Sequence, residues 1–294
     1  MTDNELSTTD MEQINQQIDA LPSLRALVDE LDMKARKSLG QNFLFDMNLT
    51  RRIARSAQPL TGTTIEIGPG PGGLTRAILL EGANDLITIE KDWRASAVLQ
   101  SLMMAAGKRM TLVEDDALKC AIWQMGTTPR RVIANLPYNI ATTLLIKWLE
   151  HASDFTSLTL MFQREVALRI TARPGDSEYG RLSILANWKA ETEILFDVPA
   201  SAFVPQPKII SSVIKVIPLA KPRFDCNQSY LENVTRHAFR QRRKMLRNSL
   251  EHIGGQELLA EAGVNPKARP QDLEIAEFCA LARCLEARQL RKRP

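Results

Sequence analysis

The stretch Thr64-Ile-Glu-Ile-Gly-Pro-Gly-Pro-Gly-Gly-Leu-Thr75 decides the fold of this chain. It begins as a short β-branched run, continues through a glycine-rich turn, and ends where a helix starts. Glycines are needed at such a turn because it is tight and because a ligand must approach the backbone closely. Gly68, Gly70 and Gly73 satisfy the G-x-G-x-x-G pattern of dinucleotide-binding folds, which is a weak signal when it stands alone.

Short β-rich runs alternate with helical stretches around this turn. The predicted strands lie at 63–67, 86–90, 110–113, 131–134 and 157–162. The predicted helices between them lie at 74–80, 93–105 and 140–151. This alternation indicates an α/β fold, with a mostly parallel sheet covered by helices on both faces. Two further runs, 193–198 and 209–217, lack a helix between them and predict an antiparallel pair at one sheet edge.

The distribution of charge and turn residues predicts three segments. Residues 1–33 hold eight acidic residues and one basic residue, which predicts an acidic, flexible extension with one short helix near 21–31. Residues 34–220 form the α/β domain and end at a linker rich in proline. Residues 221–294 form a small α-helical domain, with helices at 230–250 and 270–288.

The composition excludes several classes of protein. With 44% hydrophobic and 24% charged residues among 294, the chain is typical of a soluble globular protein. No apolar run is long enough to span a bilayer, and the acidic N-terminus resembles neither a secretory signal nor a transit peptide. A cytoplasmic location without membrane contact is expected. The four cysteines form no C-x-x-C pair and the three histidines lie near no motif, so no metal is expected.

Acidic residues at two strand ends extend the glycine turn into a predicted nucleoside site. Glu90 ends the second strand, where a carboxylate can accept hydrogen bonds from both ribose hydroxyls of NAD or S-adenosylmethionine. Asp116 follows the third strand, where it can accept from an adenine amino group. The prolines of the turn and Glu66 before it suit a loop around an amino-acid moiety. The chain also lacks a set of His, Arg and Asp residues suited to hydride transfer.

The tetrapeptide Asn135-Leu-Pro-Tyr138 follows the apolar run 131–134. A carboxamide oxygen, nearby backbone carbonyls and an aromatic face at one strand end suit a planar base with an exocyclic NH₂ group. Taken alone, such a tetrapeptide is more often a proline-containing turn beside a half-buried tyrosine. The functional interpretation therefore depends on the predicted nucleoside site upstream.

Six sequence blocks occur between residues 34 and 290: Gly40–Leu44, Glu66–Gly70, Glu90, Asp116–Ala117, Asn135–Ile140 and Phe203–Ile209. In this order they resemble the small-subunit (16S) ribosomal RNA adenine N6,N6-dimethyltransferases, the KsgA/RsmA family, among the Rossmann-like S-adenosylmethionine-dependent methyltransferases. The resemblance implies dimethylation of N6 of two adjacent adenosines in the 3′-terminal hairpin loop of small-subunit rRNA, during biogenesis of that subunit. The 71–73 stretch and the acidic extension depart from the family pattern.

The resemblance also implies roles for individual residues. The implied S-adenosyl-L-methionine contacts are Asn42, Leu44, Glu66, Gly68, Gly70, Glu90, Asp116 and Asn135. The implied catalytic residues are Asn135, Leu136, Pro137, Tyr138 and Phe203. In the expected mechanism the Asn135 side-chain oxygen and the Pro137 backbone carbonyl accept from the two N6 hydrogens, which aims the nitrogen lone pair at the methyl group. Tyr138 and Phe203 are expected to stack on the flipped base.

A run of basic residues in the C-terminal region predicts contact with RNA. Six residues are predicted to form a cationic helix surface: Arg236, Arg240, Arg242, Arg243, Lys244 and Arg247. A basic tail follows at 288–293. Because one sign of charge dominates, phosphate contact is favoured over an ordinary solvated face. The expected partner is small-subunit rRNA within a pre-formed small ribosomal subunit, recognised by shape and charge by a monomer.

Other functions remain open at this point. A large-subunit rRNA adenine methyltransferase of the antibiotic-resistance type shares much of this layout. Three features favour the small-subunit type: Leu136 within the tetrapeptide, the sequence Gln-Asn-Phe-Leu at 41–44, and the moderate pI of about 8.9. A DNA adenine methyltransferase is disfavoured because no separate target-recognition insertion is visible. A non-catalytic RNA-binding assembly or transcription factor on the same scaffold is disfavoured by the intact acidic residues and Asn135.

Overall fold

The computed structural model describes residues 8–30, 32–33, 35–36 and 40–291. Within this range the chain divides into two compact units, each built from two stretches of sequence. The first comprises the chain up to Arg164 together with Glu193–Pro218, and the second comprises Glu165–Thr192 and the chain from Leu219 onward. The domain boundaries predicted near residues 33 and 220 stay predictions. The second compact unit differs from the predicted C-terminal domain because it also includes Glu165–Thr192.

A seven-stranded sheet forms the centre of the α/β fold. In chain order the strands are β1 (Phe43–Leu44), β2 (Thr63–Ile67), β3 (Asp85–Glu90), β4 (Met110–Glu114), β5 (Arg130–Asn135), β6 (Ser157–Gln163), β7 (Ala190–Val198), β8 (Phe203–Val204) and β9 (Ser211–Pro218). The large sheet has the order β4-β3-β2-β5-β6-β9-β7, and β1 pairs with β8 in a separate two-stranded sheet. Neighbours from β4 to β6 are parallel, and β9 is antiparallel to β6. The predicted mostly parallel sheet is confirmed.

The central strands are runs of β-branched and aliphatic residues that are buried along most of their length. β2 is buried at every position, and β5 and β6 are buried at all positions except their ends. Burial of both faces is what helices covering a parallel sheet require. The carboxyl ends of the strands lie together because Ile67 pairs with Ile89 and Glu90 pairs with Glu114. In folds of this kind ligands bind at that edge.

Helices of the first unit follow the strands that they cover. They are α1 (Thr8–Asp19), α2 (Leu24–Glu30), α3 (Met47–Ser56), α4 (Gly73–Leu80), α5 (Trp93–Ala106) and α6 (Tyr138–Glu150). Asp46 and Asp92 cap α3 and α5 by accepting backbone N–H groups of the first turn. A Cβ on Gly73 would lie 2.3 Å from the Leu44 carbonyl oxygen, so the start of α4 requires glycine to pass close to β1.

The short helix predicted near 21–31 is confirmed as α2. The predicted flexibility is corrected for Thr8–Asp19, which forms α1, whereas residues 1–7 lie outside the described chain. Ile18 on α1 is fully buried, and α1 contacts α4 and α5. Arg109 is 1% exposed and donates hydrogen bonds to Asn15 Oδ1 on α1 and to the Ala83 carbonyl. A buried guanidinium needs such partners, so α1 belongs to the first unit.

The second unit is helical. Its helices are α7 (Arg164–Thr171), α8 (Arg181–Lys189), α9 (Gln228–Arg240), α10 (Leu246–Ser249), α11 (Gly255–Glu261) and α12 (Ile275–Arg291). Tyr179, Phe239 and Phe278 pack in series, with ring centroids 6.2 Å and 5.9 Å apart. The Tyr179 hydroxyl donates to the Leu273 carbonyl at 3.0 Å. Among the described residues, no helix is both long and apolar enough to cross a membrane.

Candidate active site

A cavity opens at the carboxyl edge of the parallel strands. It is lined by the segments 40–44, 66–71, 73–74, 89–92, 115–118 and 135–140. The predicted cofactor residues all line it: Asn42, Leu44, Glu66, Gly68, Gly70, Glu90, Asp116 and Asn135. Leu136, Pro137 and Tyr138 line it as well. The fold therefore brings the glycine turn, both acidic strand ends and the Asn135–Tyr138 tetrapeptide to one place.

Glu90 fastens the glycine turn to the end of β3. Its carboxylate accepts backbone N–H groups from Gly70 at 3.1 Å, Lys91 at 2.9 Å and Asp92 at 2.8 Å. Burial raises the pKa of Glu90, and the three N–H donors act against that rise. A carboxylate has about four acceptor positions, so Glu90 keeps capacity for a further donor in the cavity.

Glu66, on the strand before the glycine turn, carries a buried oxygen without a partner. Its Oε2 makes no hydrogen bond with any described residue, and the side chain is 1% exposed. Burial is the main reason that the pKa of Glu66 rises to about 8; the nearby Thr75 hydroxyl acts against this rise, and the charge of Glu90 adds to it. An unpaired buried acceptor is costly, so this oxygen is suited to a donor or cation brought by a ligand.

Asp116 lies in a turn after β4 and is held from two sides. Its Oδ1 accepts from the Leu118 backbone N–H at 3.0 Å, and its Oδ2 accepts from Lys91 Nζ at 2.8 Å. The Lys91 hydrogen bond, followed by that of Leu118, lowers the pKa of Asp116. The carboxylate is thus ionised at neutral pH and available as an acceptor in the cavity.

Asn135 ends β5 with its side-chain amide held in one orientation. Its Nδ2 donates to the Asn42 carbonyl at 3.1 Å, which leaves Oδ1 as the group able to accept from a ligand. The Pro137 carbonyl, by contrast, accepts backbone N–H groups from Ile140 and Ala141, each at 3.1 Å, at the start of α6. Both of its lone pairs are engaged, so the predicted use of this carbonyl is corrected. The Leu136 carbonyl accepts no hydrogen bond from the described residues.

Tyr138 begins α6 with its ring half-buried at the cavity. Its hydroxyl lies 2.6 Å from Ser211 Oγ, at the first residue of β9, and Ser211 is fully buried. Burial raises the pKa of Tyr138. The hydrogen bond ties the far end of the ring to the sheet and so fixes the position of the ring axis beside the cavity.

Phe203 does not line the cavity, so its predicted stacking on the target base is corrected for this arrangement. Instead β8 pairs with β1, with Phe203 opposite Leu44. Alternation along a strand turns Phe203 inward, where it is 2% exposed in the apolar core, and turns Val204 outward, where it is 43% exposed.

The six predicted RNA-binding residues, here called the basic cluster, occupy a turn flanked by two helices. Arg236 and Arg240 lie on α9 and Arg247 lies on α10, while 241–245 connect them, which corrects the single helix predicted over 230–250. Like charges in successive turns destabilise a helix. In addition, the Leu246 N–H donates to the Ala268 carbonyl and not to a carbonyl one helical turn earlier. All six are exposed except Arg242, which is half-buried and donates to the Asp176 carbonyl.

The predicted basic tail at 288–293 is not a free cationic segment where it is described. Arg288 belongs to α12, and its guanidinium lies 2.8 Å from Glu261 and 3.7 Å from Glu257. Residues 292–294 lie outside the described chain. Only the basic cluster is therefore kept as a candidate RNA-binding surface.

One group that sequence reasoning missed is Asp92, which lines the cavity and is 4% exposed. It accepts from Gln41 Nε2 at 2.9 Å and from the Arg94 side chain, and so joins the segment before β1 to the start of α5. The signal was present in the sequence, because an aspartate just before a helical stretch is a typical N-cap.

The fold and the cavity define a class of protein. A mostly parallel Rossmann-like sheet, a glycine turn after β2 and acidic residues after β3 and β4 are the features of an S-adenosylmethionine-dependent methyltransferase domain. A solved dimethyladenosine transferase from Plasmodium falciparum has the same fold, with a TM-score of 0.69 at 26% identity over 81% of this chain and 95% of that one. The 23S rRNA methyltransferase ErmE has a TM-score of 0.63 at 24% identity, over 83% and 100% of the two chains, and shows the fold alone.

Sequence comparison then gives the family. The model of the ribosomal RNA adenine dimethylase family matches residues 32–287, so the chain belongs to that family. Ribosomal RNA small subunit methyltransferase A of Sinorhizobium medicae is 50% identical over 272 residues, which are 91% of this chain and 99% of that protein. The protein of the same name from Rhodospirillum rubrum is 51% identical over 271 residues, 92% and 94% of the two chains.

Proposed function

We propose that this protein uses S-adenosylmethionine to dimethylate N6 of two adjacent adenosines in the 3′-terminal hairpin loop of small-subunit rRNA, during biogenesis of the small ribosomal subunit. Its family and its relatives named ribosomal RNA small subunit methyltransferase A support this assignment. The structural observation that carries it is the presence of Asn135–Tyr138 in the same cavity as Glu90 and Asp116.

The residues of the cavity fit S-adenosylmethionine. The unpaired buried Oε2 of Glu66 suits the ligand's ammonium group, because an adjacent positive charge favours loss of the proton that the buried carboxyl holds. The remaining acceptor capacity of Glu90 suits a ribose hydroxyl. Asp116 suits the adenine amino group. At Gly70 φ is +53°, and an added Cβ would lie 3.2 Å from the Phe43 ring, so the turn requires glycine at this position. When bound, S-adenosylmethionine supplies an activated methyl group on its sulfonium centre.

The target adenine requires help because the lone pair of N6 is delocalised into the ring. Asn135 Oδ1 and the Leu136 carbonyl are the acceptors left available at the end of β5. Acceptance of both N6 hydrogens by these oxygens makes the nitrogen more pyramidal and orients its lone pair. Positioning and fixed dipoles supply most of the acceleration, and the proton released after transfer goes to water.

The second methylation places a different demand on these acceptors. After one transfer a single N6 hydrogen remains, so only one of the two oxygens can accept from the monomethyl base. The base must rotate and rebind with its new methyl group inside the cavity. Tyr138, fixed by Ser211, is the aromatic face of the predicted pair that remains available for stacking in both steps.

Docking on RNA is assigned to the basic cluster of the second unit. The described chain provides no acidic ion-pair partner for these six side chains, so their charge is available for phosphates. The proposed partner is a pre-formed small subunit, in which the loop adenosines and the RNA helices around them are already assembled. One copy of the protein would recognise this RNA by its shape and charge.

Nucleoside analysis after methyl transfer tests the proposal. Small and large ribosomal subunits that lack the modification are incubated separately with the protein and labelled S-adenosylmethionine, and their rRNA is digested to nucleosides. We expect labelled N6,N6-dimethyladenosine from small subunits only. Label confined to the large subunit would favour the antibiotic-resistance type of enzyme, and no cofactor binding at all would favour a non-catalytic factor.

A further inference from the structure

Lys147 on α6 contacts the turn that carries Asp116, although it does not line the cavity. Its Nζ donates hydrogen bonds to the Leu118 carbonyl at 2.7 Å and to the Cys120 carbonyl at 3.1 Å. Both carbonyls belong to the turn after β4. The lysine side chain is half-buried, so these bonds are partly shielded from water.

The turn is closed on its inner side by its own hydrogen bonds. The Asp116 carbonyl accepts the N–H groups of Lys119 at 2.7 Å and Cys120 at 3.2 Å, and Asp116 Oδ1 accepts that of Leu118. These bonds define the shape of the turn, and the Lys91–Asp116 ion pair joins the start of the turn to the end of β3. Lys147 attaches the later part of the turn to α6, through the Leu118 and Cys120 carbonyls.

The chain just after the turn packs on the same face of α6. The Lys147 Nζ lies 5.2 Å from the centroid of the Trp123 ring, and the His151 ring stacks on Trp123 at 3.7 Å with an interplanar angle of 7°. Lys147 on α6 and His151, the residue that follows α6, thus contact the same ring. This face of α6 supports the chain from Leu118 to Trp123 as one piece.

The helix that carries Lys147 begins at Tyr138, in the proposed catalytic tetrapeptide. The same rigid element therefore borders the cavity at its start and supports the Asp116 turn two to three helical turns later. A shift of the turn relative to α6 would change the distance between the two parts of the site.

We infer that Lys147 is a positioning residue, which fixes the 116–120 turn so that Asp116 is presented to the adenine of S-adenosylmethionine. The inference rests on the proposed function, because it concerns the same cofactor site. Loss of the charged donor releases two carbonyls to water and loosens the turn. Hydrogen bonds from charged groups are strong enough that cofactor affinity is expected to fall about tenfold.

The test compares Lys147→Met and Lys147→Arg with the wild type. Calorimetric titration with S-adenosylmethionine gives the Kd, initial rates on small subunits at saturating cofactor give kcat, and thermal unfolding reports the fold. We expect Lys147→Met to raise Kd and KM for the cofactor about tenfold with kcat within about twofold, and Lys147→Arg to restore most of the affinity. Lys108→Met, which removes an exposed charge outside the cavity, is the matched control and is expected to behave as wild type.

Outcomes separate this inference from the proposed function. If the wild type binds S-adenosylmethionine and Lys147→Met binds it within about twofold, the inference is overturned and the proposed function stands. If kcat falls while Kd does not change, the positioning of the cofactor turn is likewise excluded. If the wild type binds no S-adenosylmethionine, the proposed function fails, and the inference fails with it. Should Lys147→Met not fold, Lys147→Gln, which removes the charge and shortens the side chain, replaces it, and a Kd within about twofold of the wild type then overturns the inference.

Discussion

Glu66 couples the stability of the first unit to pH. Its buried carboxyl has a pKa raised to about 8, chiefly by burial, whereas its ordinary value is 4.5. Between those values the unfolded chain has released a proton that the folded protein still holds, so stability is full below 4.5 and falls as pH rises towards 8. Each unit of pKa difference corresponds to about 1.4 kcal/mol.

Glu66→Gln should remove this dependence, because glutamine stays neutral at every pH. We expect the free energy of unfolding of the wild type, relative to Glu66→Gln, to decrease between pH 5 and pH 8 and then to level off. Urea denaturation without cofactor at several pH values measures it. Glu150→Gln, at an exposed end of α6, is the control. Parallel profiles for the wild type and Glu66→Gln would show that the Glu66 carboxyl is not held neutral.

Asn135 is the residue on which the proposed chemistry depends. Removal of its side-chain oxygen by Asn135→Ala takes away one of two acceptors for N6, and the loss of such a preorganised group costs about 100-fold in kcat. The melting temperature should change little, since Asn135 is half-buried at a strand end. Initial rates at saturating cofactor and small subunits measure the effect, with Asn48→Ala on α3 as control. A kcat within threefold of the wild type would be incompatible with the proposed role.

The location of the site residues could be predicted, but their hydrogen bonds could not. Asn135, Glu90 and Asp116 follow buried strands, and parallel strands bring such ends together. The engaged carbonyl of Pro137 depends on where α6 begins, which a Pro-Tyr sequence leaves open. The burial of Phe203 depends on the pairing of β8 with β1, two strands of two residues each, which are too short to give a periodic signal.

At the scale of elements, α1 is the feature that the charge pattern concealed. Its apolar residues Met11, Ile14 and Ile18 recur at helical spacing, but the acidic composition around them suggested a flexible segment. The strands of the large sheet were predicted to within a few residues because each is a short run rich in β-branched and aliphatic residues between turns. Hydrophobic periodicity thus indicates the secondary structure of this segment better than its overall composition does.

Docking of α1 makes a specific prediction about stability. Ile18 is fully buried against the first unit, so Ile18→Ala should lower the free energy of unfolding by about 2–4 kcal/mol through lost burial and the cavity left behind. Gln17→Ala, at the exposed neighbour on the same helix, should change it by less than about 0.5 kcal/mol. Urea denaturation of both variants measures the difference. Equal effects would mean that α1 does not pack as described.

At the scale of the whole molecule, cofactor binding and RNA docking are assigned to different units. The triple variant Arg240→Ala, Arg243→Ala and Lys244→Ala removes half of the basic cluster from the second unit. The slope of log K against log salt for small-subunit binding should become shallower by about 2, since each lost phosphate contact contributes about 0.7–0.9. Affinity for S-adenosylmethionine should not change.

Binding to small subunits at several KCl concentrations measures that slope. Lys221→Ala, which removes one exposed charge of the second unit outside the cluster, is the control. A triple variant with the slope of the wild type would show that these residues do not contact phosphates.

Mapping the methyl groups on the rRNA tests the proposed reaction and its target together. Small subunits lacking the modification are treated with the wild type or with Asn135→Ala, and fragments of the 3′-terminal rRNA are sequenced by mass spectrometry. We expect two adjacent N6,N6-dimethyladenosines in the terminal hairpin loop with the wild type and none with Asn135→Ala at matched times. Methyl groups elsewhere on the RNA, or undiminished dimethylation by Asn135→Ala, would contradict the proposed function.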